Sequence, residues 1–192
     1  MSTADELHSM VFNIVRELEA AASGSLYWDG DDFIVIDDID EWKEEKYKEK
    51  VEEFHKEHPE EGWKEEHYKD EIEEFRKENP DGEFDPEAEG LETYDEWVEG
   101  EIGTADDIDE PEQASLNDYI EKNGLGDTRF EVDSSKDLLG GKTLFTYGGP
   151  NIWVHDDEVC GYWGAERVEM SLDSKARDAL FGWFEEMWDN IR

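Results

Sequence analysis

The stretch KTLFTYGGPNIWVHDDEVCGYW, residues 142–163, decides the fold. Lys142–Tyr147, Ile152–His155 and Val159–Trp163 are rich in β-branched and aromatic residues. Gly148-Gly149-Pro150 and Asp156-Asp157-Glu158 stand between them as turn sequences. Short β-prone runs joined by tight turns predict antiparallel strands. Arg129–Val132 and Arg167–Met170 extend the pattern on either side. Residues 173–191 then set Ala176, Leu180, Phe184, Met187, Trp188 and Ile191 on the inward side of a helix capped by Ser171 or Asp173.

Upstream, residues 3–22 predict another amphipathic helix, with Leu7, Met10, Val11, Ile14, Val15 and Leu18 at three- and four-residue spacing. Thr3 and Glu6 have the spacing of a capping box, and Gly24 is the expected stop. Leu26–Trp28 and Phe33–Ile36 flank Asp29-Gly30, a hairpin signal. A short helix is expected over 115–122, capped by Ser115. The fold class expected is α+β: an antiparallel sheet flanked by N- and C-terminal helices, with an inserted helical-hairpin arm.

The arm is a tandem repeat of period 21. Residues 42–59 and 63–80 match at 12 of 18 positions. Trp42, Tyr47, Val51, Phe54 and Pro59 return as Trp63, Tyr68, Ile72, Phe75 and Pro80. Each copy reads as one helix, roughly 27 Å long at about 1.5 Å per residue, ended by its proline. Glu44→Lys48 and Glu52→Lys56 are favourable i,i+4 pairs, repeated as Glu65→Lys69 and Glu73→Lys77. The next segment, 81–113, mixes acids with Gly and Pro and reads as a connector, with one short helix over Leu91–Val98 presenting Tyr94, Trp97 and Val98. The expected division is therefore 1–40, 41–80, 81–113 and 114–192.

Charge carries the functional signal. The net charge is −39, from 57 acids and 18 Lys/Arg. Glu78–Glu121 holds 18 acids and no Lys, Arg or His, and Asp29–Glu41 holds seven acids and no base. Solubility asks for a net charge of only about 2 to 8. Eight Trp, nine Phe and seven Tyr separate the chain from disordered acidic tails, which are poor in aromatics. One cysteine, Cys160, excludes an internal disulfide and fits a reducing compartment. The N-terminus lacks a signal-peptide pattern, and no apolar run nears the ~18 residues of a span. A cytoplasmic protein without membrane contact is expected.

Enzymatic motifs are missing. Asp29-Gly30-Asp31-Asp32-Phe33 begins like a calcium loop but lacks the later ligands and the loop glycine. The five histidines form no His-Glu-x-x-His pattern, and Cys160 with His155 has no further ligands at zinc spacing. Gly140-Gly141-Lys142-Thr143 ends like a phosphate loop without its first glycine. No catalytic residue, metal ligand or cofactor is assigned.

Dense carboxylates on a folded scaffold imitate the charge of duplex DNA, one per ~1.7 Å of axis. The expected function is nucleic-acid mimicry, by filling the basic DNA- or RNA-binding groove of a partner protein. The partner is then a basic nucleic-acid-binding protein, and the chain itself binds no nucleic acid. Two acidic strips are assigned to the partner. The first is Asp29, Asp31, Asp32, Asp37, Asp38, Asp40 and Glu41. The second is Glu92, Asp95, Glu96, Glu99, Glu101, Asp106, Asp107, Asp109 and Glu110. Trp42 and Trp63, which open the repeats, are the aromatic candidates, since Trp is enriched at interface hot spots. The other aromatics, from Trp153 to Trp188, are assigned to the core. The alternative reading is an acidic chaperone or scaffold for basic proteins. A calcium buffer or halophilic surface comes third.

The segments Tyr147–Val154, Val159–Gly164 and Phe184–Trp188 resemble small acidic proteins of Firmicutes mobile elements, encoded near antirestriction genes. The resemblance covers about residues 140–191. It implies an anti-defence setting in the host bacterial cytoplasm, in which the mimic inhibits a host-defence nuclease, a CRISPR effector or a restriction enzyme; it supplies no catalytic residues, and the 42–80 repeat departs from that family's pattern.

Overall fold

The computed structural model describes residues 2–79, 82–124, 126–146 and 149–192. In chain order it shows α1 (Thr3–Ser23), a hairpin of β1 (Leu26–Trp28) and β2 (Phe33–Val35), then α2 (Ile39–Glu57), α3 (Glu60–His67), α4 (Lys69–Glu78) and α5 (Tyr94–Ile102). A 3₁₀ turn, Ala105–Asp107, leads to β3 (Glu112–Gln113) and α6 (Leu116–Asn123). Strands β4 (Thr128–Val132), β5 (Leu138–Thr146), β6 (Asn151–His155), β7 (Glu158–Trp163) and β8 (Glu166–Ser171) precede α7 (Ser174–Ile191).

The five late strands form an antiparallel meander in the order β4-β5-β6-β7-β8. The architecture is α+β, as the alternation and turns dictate. Helix α1 lies on β7 and β8, and α7 on β5 and against α1. Leu7, Val11, Val15 and Leu18 from α1 meet Ile152, Val154, Val159 and Leu180 in one core. Two mid-strand glycines let the helices approach closely. A Cβ on Gly161 would stand 2.6 Å from Val11 Cγ2, and one on Gly141 would stand 2.5 Å from the Phe184 ring. A second sheet, β2-β1-β3, joins the hairpin to a distant strand: Trp28 pairs with both Phe33 and Glu112.

The contacts divide the chain into two units, residues 1–37 with 111–192, and residues 38–110. This replaces the four-part division. The 81–113 segment is no connector, because its Phe84, Tyr94 and Val98 are buried with Trp63, Tyr68 and Ile72 of the second repeat. The resulting helical unit is inserted between β2 and β3.

The two repeat copies fold differently. Copy one is the single helix α2, capped by Asp38, whose carboxylate accepts from the Asp40 and Glu41 amides. Copy two breaks into α3 and α4. Gly62 takes φ +94, open to glycine but not to Glu41 at the equivalent place, and Tyr68 leaves the helical region at φ −111, ψ 35. The break is a tertiary override of local propensity. It seats Trp63, Tyr68 and Ile72 in an aromatic cluster, whereas α2 buries no residue fully. Pro80, the expected end of copy two, lies outside the described residues, as do Asp81, Tyr147 and Gly148.

Smaller corrections are local. The α1 cap is Ser2 with Asp5 rather than Thr3 with Glu6. Gly140 and Gly141 belong to β5, and helix α5 starts at Tyr94. Ser115 caps α6 and Asp173 caps α7. Among the described residues, no helix is long and apolar enough to cross a membrane.

Candidate protein-interaction surface

Within residues 38–110 the sequence places 32 acids against nine Lys/Arg, a net of −23. All 31 of these acids in the described residues are exposed. Of the described acids of this unit, only Glu44, Glu49 and Glu110 form ion pairs with described residues, namely Lys48, Lys46 and Lys43. The other unit differs. Glu17, Glu19, Asp133, Asp156 and Glu158 are half-buried there, and each accepts a hydrogen bond. Half-buried acids of the sheet unit are thus hydrogen-bonded, while the described acids of the helical unit face solvent.

The structure brings the start of α2 together with the 3₁₀ turn. Lys43 Nζ lies 2.9 Å from Glu110, and its ammonium is held above the ordinary lysine range by that bond, with Asp106 and Asp40 adding to it. Asp40, Asp106 and Glu110 therefore gather around Lys43, with Asp38, Glu41, Asp107 and Asp109 beside them in sequence. Glu92, Asp95, Glu96, Glu99 and Glu101 are exposed on and just before α5, which packs on α2. Asp29, Asp31, Asp32 and Asp37 belong to the sheet unit instead.

Several of these carboxylates already have a structural role. Asp29 accepts from the Asp31 and Asp32 amides at 3.2 and 3.0 Å, so the calcium-like loop is a hairpin turn. Glu96 and Asp107 close capping boxes with Thr93 and Thr104. Backbone amides hold the Asp29, Glu96 and Asp107 carboxyls below the usual carboxylate range, so they keep their charge into mild acid.

The aromatic assignments need correction. Trp63 is 8 % exposed, a member of the helical unit's core rather than an exposed hot spot. It stacks on Trp97 and His67 and meets Tyr68 and Tyr94 edge-on. Trp42, its repeat equivalent, is half-buried. Of the aromatics assigned to the core, Phe184 is fully buried, but Tyr162 is 37 % exposed. Trp153 carries Arg129 over its ring at 4.6 Å, on the sheet face away from α1.

One cluster escaped sequence reasoning, since its parts come from neighbouring strands. Glu158, Cys160 and Glu169 bring ligand-type atoms within 4.8 Å of one another. The Cys160 thiol donates to Glu158 at 3.2 Å, and Glu169 is paired with Arg167. Burial first, and Glu158 second, push the Cys160 thiol up to about 12. A protonated thiol is a poor metal ligand and nucleophile.

No family model, curated protein or solved structure matches this chain.

Proposed function

We propose that the protein is a nucleic-acid mimic that fills the basic groove of a host-defence nuclease, either a CRISPR effector or a restriction enzyme. The observation that carries this reading is the helical unit. Its net charge is −23, every described acid is exposed, and nearly all lack a cationic partner. Like charges at this density oppose compaction. An opposing basic surface relieves the repulsion, and steering makes such association fast and salt-sensitive.

The test is competition. Purified protein is expected to displace duplex DNA from such an effector, with an affinity that falls steeply as salt rises past the ~10 Å screening length of 0.1 M. Lysine substitutions at Asp106, Asp109 and Glu101 are expected to abolish inhibition. Asp107 is left in place because it caps the 3₁₀ turn. Normal DNA binding by effectors of both classes at low salt, in the presence of the protein, defeats the proposal. Capture of many unrelated basic proteins without inhibition is the outcome that the acidic-scaffold reading expects.

A further inference from the structure

The helical unit contains a groove of about 810 Å³ between α3, α4, the 82–87 segment and the start of α5. Its apolar lining is Trp63, Ile72, Phe84 and Tyr94, all at most 8 % exposed. Its rim carries six carboxylates: Glu60, Glu61, Glu65, Glu83, Asp85 and Glu87. Lys64 and Arg76 are its two cations, and neither is ion-paired among the described residues. The 83–87 segment builds the rim by alternation. Phe84 and Pro86 are buried, so Glu83, Asp85 and Glu87 all stand outward.

We infer that this groove is the docking site for an arginine-bearing segment of a protein partner. The inference deepens the function proposed above and rests on it. The rim repels phosphates and acidic peptides. A bare inorganic cation would leave the aromatic lining unused. An arginine side chain uses both parts, its methylene stem along the apolar lining and its guanidinium among the carboxylates. Arginine suits the place better than lysine, because its planar head stacks on rings and pairs bidentately with carboxylates. Size agrees, since the volume falls within the roughly 300–1,000 Å³ of sites that enclose a ligand. Independently, the Trp63 indole N–H is buried with no acceptor among the described residues. Trp63 lines the groove, so a segment docked there changes the surroundings of this donor.

The probe is a fluorescein-labelled peptide of alternating arginine and alanine, titrated into the full chain by anisotropy. The groove variant is E83Q/D85N/E87Q. The side-chain amide that it introduces at position 85 retains a carbonyl oxygen, the acceptor that Asp85 offers to the Glu87 backbone N–H. The matched variant E45Q/E52Q/E53Q removes the same charge from exposed positions on α2. The groove variant is expected to lose about tenfold more affinity than the matched one. The Trp63 indole resonance, assigned by its loss in Trp63→Phe, is expected to shift on peptide addition. Equal losses in the two variants, an unmoved Trp63 resonance, or spermine binding as tightly as the peptide would each overturn the inference. A groove that binds peptide while nucleases remain uninhibited sinks the mimicry reading alone. Inhibition that survives intact in the groove variant sinks the groove alone.

Discussion

Replacing Gly161 with alanine puts a methyl group 2.6 Å from Val11 Cγ2 and 2.8 Å from Leu7 Cδ1. Both neighbours are fully buried on α1, so neither can turn into solvent. Overpacking of this kind costs about 1–3 kcal/mol. Val11→Ala alone removes two methyl groups from the core, about 1.6 kcal/mol of transfer free energy. The cavity term brings that to roughly 2 kcal/mol. In the double variant the new methyl at 161 occupies the space that Val11 vacates. Its destabilisation is therefore expected to fall short of the sum of the single variants by about 1 kcal/mol or more. Urea denaturation measures this directly, provided the m-value stays constant across the four proteins. Additivity within about 0.5 kcal/mol would show that Val11 and position 161 do not share space. The account of how α1 seats on the sheet would then be wrong.

Three further outcomes follow from other parts of the fold. Cys160, with its thiol raised to about 12, is expected to resist iodoacetamide at neutral pH in the native protein and to react on denaturation; rapid native labelling would contradict its burial. Glu17 accepts from the Tyr119 hydroxyl at 2.6 Å, and burial holds its carboxyl above the ordinary glutamate range. A raised carboxyl costs stability above its folded pKa and regains it as pH falls, so Glu17→Gln is expected to raise the melting temperature at pH 7. That gain should vanish below the ordinary glutamate value of about 4.3, as followed by melts across pH. Thr93→Ala, which opens the capping box of α5, is expected to cost about 1 kcal/mol, read as an earlier urea transition in the near-ultraviolet signal of the aromatic cluster.

The sheet and its two helices were legible because their signals are local. Alternation marks β6 and β7, apolar spacing marks α1 and α7, and Ser115 and Asp173 sit where caps belong. Gly140 and Gly141 fall outside the expected strand, which starts at Lys142, since glycine is depleted in strands; the reason for Gly141 is the ring of Phe184, far away in sequence. Strand β3 has two residues and exists only through its pairing with β1. The repeat shows most clearly where sequence stops. Trp42 and Trp63 begin nearly identical stretches, yet one is half-buried on an unbroken helix and the other lies in an aromatic cluster. Their difference comes from what α5 and the 82–87 segment place beside them. Exposure of the acids was readable, because carboxylates rarely leave water unpaired. Their division between two units was not, since Asp37 and Asp38 are neighbours in sequence.

Helix α2 carries eight acids and buries no residue fully. Its backbone amides are therefore shielded mainly by their own helical bonds, and they are expected to open at a lower free energy than amides locked in the core. Those of α1 and β7, locked in the core, exchange only with much larger openings. A charged surface mounted on such an element can be reshaped by whatever it meets at small cost. Hydrogen exchange along α2 is then where an encounter registers first, as protection gained in a segment that had little to lose.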